Sequence, residues 1–352
     1  MSDTLQADVT PPPTQDERVG RRSTLARLFA RPEAGALAGA IVIYFFFFAI
    51  APPFRSANSL STILYVSSTY GLMATPIALL MIGGEFDLSA GVAVTTAALT
   101  ASLFSFEFTV NVWVGVVVAL GVALLVGFIN GWIVVRTGIP SFLVTLGTFF
   151  MLEGLNLALT RTITNQVASP DISNIQGFSS AKAVFATSFT IAGVSINITV
   201  IYWIVFVALA TWILLRTRVG NWIFSVGGSA PSARAVGVPV GKMKIGLFMA
   251  VGFMAWFTGM HTLMLFDTIQ SGQGVGNEFV YIIAAVVGGC LLTGGYGSAV
   301  GAAIGAFIFG MTNQGIVYAG WDPDWFTFFL GALLLGAILL NTFIRRRAEA
   351  AR

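Results

Sequence analysis

Long apolar runs separated by short polar stretches make up most of this chain, and a membrane-spanning helix needs about 20 mostly apolar residues. On that scale ten runs qualify, near residues 35–51, 62–82, 89–106, 112–135, 141–160, 196–215, 245–266, 279–293, 298–318 and 325–344. The eighth is the shortest, and the junction between the second and third is the least distinct. The pattern predicts an all-α polytopic membrane protein with about ten transmembrane helices, some of them broken. Residues 34–344 form the expected transmembrane domain. A disordered tail over 1–33 precedes it, and a basic tail over 345–352 follows. Two connections are long. Residues 161–195, rich in Ser, Thr, Asn and Ala, read as a structured external cap; residues 216–244 read as a cytoplasmic loop.

Composition agrees with a lipid solvent. Of 352 residues, 56% are hydrophobic and only 9% charged, against roughly 25% charged in soluble domains. Charge then sets orientation, because cytoplasmic loops collect Lys and Arg. With both termini inside, the tails and inner loops hold 15 of the 18 basic residues, leaving only Arg55, Arg161 and Lys182 outside. The inner segment 216–244 carries five basic residues and no acidic one. The net charge of +3 therefore reads as membrane topology and not as a nucleic-acid surface. Arg21-Arg22 resembles a twin-arginine signal, but positive flanks are expected before any first span.

The chemistry available is limited. There is no G-x-x-x-x-G-K-[ST] nucleotide loop, no H-E-x-x-H and no G-x-S-x-G. One cysteine, Cys290, and one histidine, His261, make neither a disulfide nor a metal site; His261 reads as a hydrogen-bonded packing residue. Ionisable residues within or beside spans are costly and mark candidate pathways. Glu85 and Asp87 lie between the second and third runs. They would line a vestibule, or Asp87 and Ser89 would cap the next helix. Glu153 falls well inside the fifth run, where it must face protein or water. Asn313 and Gln314 are softer pathway candidates that also serve as helix–helix glue. Gly297, Gly301 and Gly305 recur every four residues and predict one close-packed helix face. Gly83-Gly84 after the second run and Gly288-Gly289 after the eighth form a weak internal echo, the mark of broken helices at matching places in two halves.

Four stretches taken in order resemble a known family. They are Gly83-Gly84-Glu85-Phe86-Asp87-Leu88-Ser89-Ala90-Gly91, Ile139-Pro140-Ser141-Phe142-Leu143-Val144-Thr145-Leu146-Gly147-Thr148, Val226-Gly227-Gly228 through Val238, and Gly288-Gly289 through Gly301. Together they are similar to the permease subunits of ribose-, xylose- and arabinose-type bacterial ABC sugar importers, over about residues 40–344. The resemblance implies a ten-span permease of the bacterial inner membrane that pairs with a second copy. Its other partners would be a cytoplasmic ATPase, which binds ATP and magnesium, and an extracytoplasmic sugar-binding protein. It implies a short coupling helix within 227–238, with Gly227, Gly228, Ser232, Ala233, Arg234, Gly237 and Lys242 docking the ATPase, and Arg234, Lys242 and Lys244 as cations that would meet an acidic groove. Asp-Leu-Ser at 87–89 is similar to the sugar-type members and unlike nucleoside or branched-chain amino-acid permeases. Two carboxylates depart from the family pattern: Glu85 stands where many members are apolar, and Glu153 where many carry Arg. The resemblance implies a monosaccharide as substrate, and the two departing carboxylates point toward a related polyol or a less common sugar. The alternative reading is an ATP-independent secondary transporter that uses intramembrane carboxylates.

Overall fold

The computed structural model describes residues 32–109 and 111–350. All but the last two residues of the expected tail over 1–33 lie outside the described residues. The described chain is almost wholly helical, as its apolar runs predict. Its helices are α1 (Pro32–Ile50), α2 (Ala57–Ile82), α3 (Ala90–Glu107), α4 (Val112–Thr137), α5 (Ser141–Thr164), α6 (Phe178–Phe185), α7 (Ile198–Arg216), α8 (Arg218–Gly228), α9 (Ala230–Ala235), α10 (Val240–Phe266), α11 (Asn277–Val287), α12 (Ala299–Tyr318) and α13 (Trp325–Ala350).

Eight of these, α1–α5, α7, α10 and α12, are long and apolar enough to cross a membrane. The eighth expected span needs correction. The run at 279–293 supplies only the 11-residue α11, about 16 Å of helix at 1.5 Å per residue, roughly half a hydrocarbon core. Helix α13 covers the tenth run, and the backbone stays helical to Ala350, through most of the expected C-terminal tail. The expected inner loop is also shorter than 216–244. Its last five residues are the first turn of α10, and most of the remainder is α8 and α9.

Helix α2 lies at the centre, buried along most of its length. Ser56 starts it, its hydroxyl accepting from the Ser59 N–H at 3.1 Å, which satisfies one of the free donors of a first turn. Helix α12 packs along α2 and α1, and α10 packs along α4 and α3. Small residues set these approaches. Gly301 and Gly305 on α12 lie against the Gly288 and Ala284 carbonyls at the end of α11, and Gly127 on α4 meets the Phe248 carbonyl of α10 at a Cβ distance of 2.5 Å. Gly297, expected on the same face as Gly301, instead precedes the helix and packs against Cys290 and Ile82.

The two ends of α2 mark the two ends of the bundle. At its start Ser61 donates to the Ser195 carbonyl of a small hairpin, β1 (Ser188–Ile191) and β2 (Val194–Asn197). The hairpin turns through Ala192 and Gly193, both at positive φ, as a two-residue turn between twisted strands requires. Beside it, residues 167–172 are stitched to 267–271: Ser169 N–H donates to Ile269 O at 2.9 Å, and Ser271 N–H to Val167 O at 2.9 Å. Lys182 on α6 pairs with Asp267 at 3.0 Å. From there the chain turns back into the bundle, and Gly274 packs on Gly91 in the first turn of α3. Helix α11 thus begins beside α3 inside the bundle.

His261 is a packing residue. Its Nδ1 lies 2.8 Å from the Phe185 carbonyl, to which it donates, and its Nε2 lies 3.3 Å from the Tyr65 hydroxyl. Trp256 donates to the Val116 carbonyl at 2.8 Å and packs on Phe185, Phe253 and Phe257.

Adding an isopropyl side chain at Gly301 or Gly305 forces α11 and α12 apart, at a cost of about 1–3 kcal/mol each. Gly301→Val and Gly305→Val are expected to lower the melting temperature of the detergent-purified protein. Gly246→Ala, at a glycine facing open space, is expected to leave it unchanged.

Candidate functional site

Two helix breaks and one exposed helical segment form the candidate site. The first break follows α2. Gly84 sits at φ +83°. Its N–H donates to Met81 O at 2.9 Å, and the Glu85 N–H reaches back to Leu80 O at 3.1 Å. This pair of bonds closes a helix end through a left-handed residue, which glycine adopts without steric cost. The second break, after α11, repeats it residue for residue. Gly289 sits at φ +94°, its N–H bonds Val286 O at 2.9 Å, and the Cys290 N–H bonds Ala285 O at 3.0 Å. The paired glycines noted in the sequence are thus one motif used twice.

Residues 85–87 then leave the helix, before a turn at 88–89, with backbone groups that need partners. Serine and threonine on α5 supply them. Phe86 N–H donates to Ser141 Oγ and Leu88 N–H to Thr145 Oγ1, each at 3.0 Å. Asp87 is buried, and its Oδ1 accepts from the Ser89 N–H at 2.8 Å and the Ser89 hydroxyl at 2.6 Å. Asn130 on α4 extends the network: its Nδ2 donates to Ser89 Oγ at 3.0 Å, and its Oδ1 accepts from Thr148 at 2.6 Å. Asp87 therefore braces the turn that opens α3, while Ser89 takes the N-cap position without a side-chain capping bond. The individual roles of Ser141, Thr145, Thr148 and Asn130 were not read from the sequence. Their signal is the spacing 141, 145, 148, which puts three hydroxyls on one face of a helix.

Glu85 turns away from this clamp and pairs with Lys244 in α10. It is only 6% exposed. Lys244, read as part of a basic docking loop, is thus spent inside the protein.

The structure divides the expected docking residues. Ser229 begins α9, its hydroxyl accepting from the Ser232 N–H at 3.3 Å. Ala233 is buried against Val226, Val238 and Val240, and Gly227 faces the two breaks; neither presents to a partner. Gly237, at φ +86°, ends α9 with the same bonding seen at the breaks: Gly237 N–H to Arg234 O and Val238 N–H to Ala233 O, both 3.0 Å. Gly228, Ser232, Arg234 and Lys242 are exposed. Beside them Val236 is 80% exposed, more than any other large hydrophobic residue described. The sequence reading missed it.

The remaining candidates lie apart from this clamp. Glu153 on α5 is half-buried, and Glu278, a buried residue of α11, has a carboxylate that accepts from Gly276 N–H at 3.1 Å. Glu278 was also not anticipated. Asn313 and Gln314 are half-buried neighbours on α12, and Gln314 donates to Asn313 at 3.3 Å.

A bundle of apolar helices, interrupted twice by clamped breaks and bearing an exposed short helix, defines a polytopic membrane transport subunit. Residues 59–338 match the family described as the branched-chain amino acid transport system / permease component. The chain belongs to that family, and it is a permease subunit, a transport component and not an enzyme. It is 30% identical to the galactose/methyl galactoside import permease of Escherichia coli over 304 residues, 83% of this chain and 88% of that protein. It is 30% identical to the E. coli ribose import permease over 296 residues, 83% and 88% of the two chains. It is 28% identical to the fructose import permease of Rhizobium meliloti over 297 residues, 84% and 81%. No solved structure matches the chain.

Removing one partner of a buried ion pair strands the other, at roughly 3–5 kcal/mol. Lys244→Ala is expected to destabilise the purified protein on that scale, and Glu85→Gln with Lys244→Met to recover most of the loss in the same thermal assay. Asn130→Ala removes the amide that joins Ser89 to Thr148, and a loss of about 1–3 kcal/mol is expected.

Proposed function

We propose that this chain forms the translocation pathway of an ABC importer for a monosaccharide or related polyol. It pairs with a second copy of itself and receives its substrate from an extracytoplasmic sugar-binding protein. A separate ATPase, binding ATP and magnesium, seats on the exposed face of α8 and α9. The carrying observation is the break at 83–89. It holds the Asp-Leu-Ser sequence of the sugar-type members, clamped by α4 and α5, in a chain whose relatives are named for galactose, ribose and fructose import. The family description names branched-chain amino acids; the break and those relatives favour the sugar.

The docking surface follows from charge and shape. Arg234 and Lys242 are exposed cations, and Val236 projects beside Arg234. An acidic groove with an apolar floor is the complementary partner. The basic-residue count puts this face in the cytoplasm, where ATP is available. The alternative, an ATP-independent transporter, is left with few free carboxylates: Glu85 is paired with Lys244 and Asp87 with Ser89.

Purification of the tagged protein from native membranes in mild detergent tests the reading. An ATPase with a nucleotide loop is expected to be recovered, and lost from Arg234→Glu while the variant stays in the membrane. Recovery of the chain alone, under conditions that hold a control importer together, would overturn it.

A further inference from the structure

Three glycines far apart in sequence bring three backbones into contact. Gly84 belongs to the first break, Gly294 to the second and Gly227 to the last turn of α8. A Cβ on Gly84 would stand 3.3 Å from Gly227 Cα. One on Gly294 would stand 2.7 Å from Gly84 Cα and 2.9 Å from Gly227 O. A Cβ on Gly227 would strike the Ile82 carbonyl and lie 2.6 Å from the Gly295 nitrogen. Those two groups are hydrogen-bonded to each other: Gly295 N–H donates to Ile82 O at 2.8 Å, joining the second break to the last residue of α2. Gly227 is seated on that bond.

The geometry points to this junction as the place where movement of α9 enters both breaks at once, with Gly227 as a positioning residue for transport. The inference rests on the reading that α8 and α9 carry the ATPase contact. Only Ser229 separates α8 from α9, and Ala233 of α9 is packed on Val226 of α8, so the two short helices move as one body. Close-packed backbone has no flexible side chain to absorb a displacement. A shift of α8 must therefore move the Ile82–Gly295 bond, and with it the ends of both half-helices. The Glu85–Lys244 pair gives the first break a second tie, to the start of α10. Gly246 on α10, outside the docking surface, faces open space, so a methyl group there meets nothing.

Hydrogen exchange read by mass spectrometry on the wild-type complex with its co-purified ATPase tests this without knowledge of the sugar. Adding a non-hydrolysable ATP analogue with magnesium is expected to change exchange in 83–89, 225–230 and 288–298 together. Gly227→Ala is expected to lose the change in both breaks while retaining the ATPase, and Gly246→Ala to keep it. A response in 225–230 with either break silent in the wild type overturns the junction, whether or not the variants fold. Equal responses of the two variants overturn the role of Gly227. A complex that contains no ATPase overturns the functional reading, and the inference with it.

Discussion

Inside a bilayer no water meets an unpaired backbone N–H or C=O, so every interruption of a helix must be satisfied by the protein itself. That requirement explains the arrangement around the two breaks. Each helix end is closed by a glycine in the left-handed region, which returns two N–H groups to carbonyls of the last turn. Beyond the first, Ser141 and Thr145 take the N–H groups that non-helical chain would leave bare. Asn130 and Thr148 then brace Asp87 and Ser89, so a carboxylate and three polar side chains stand together where isolated ones would be costly. Transporter pathways need irregular backbone at depth, and it is tolerated only where protein or a water-filled cavity surrounds it.

The same constraint decides the charged residues. Glu85 and Lys244 neutralise each other, and this ties the first break to the start of α10. Lys182 and Asp267 do the same at the opposite end, joining α6 to the end of α10. Between them run the long helices α2 and α10, and the short helices α8 and α11 adjoin the breaks. Family membership supplies the activity of such a chain, and the structure supplies its joints.

The legible part of the site was the part written in residue types with one strong physical use. Paired glycines announced the breaks because glycine adopts positive φ without steric cost. The basic segment announced α8 and α9 because topology concentrates cations there. Gly301 and Gly305 announced a close contact because no other residue type lets backbones approach so nearly. What stayed hidden were partners remote in sequence. Lys244 was read outward because a basic loop resembles a docking surface; its carboxylate lies 159 residues away. Glu278 sat unnoticed at the edge of an apolar run, and Val236 looked like any other valine.

By itself the sequence determined the solvent, the helical class and the family, because burial of apolar length and the cost of charge in lipid act on residue types one at a time. It also determined where helices must stop. Only the tertiary structure decided that the eighth apolar run is half a span, that Gly227 faces inward, and that the two breaks meet. Those outcomes depend on which backbones approach each other, and a contact between segments 84, 227 and 294 leaves no mark on any one of them beyond a glycine.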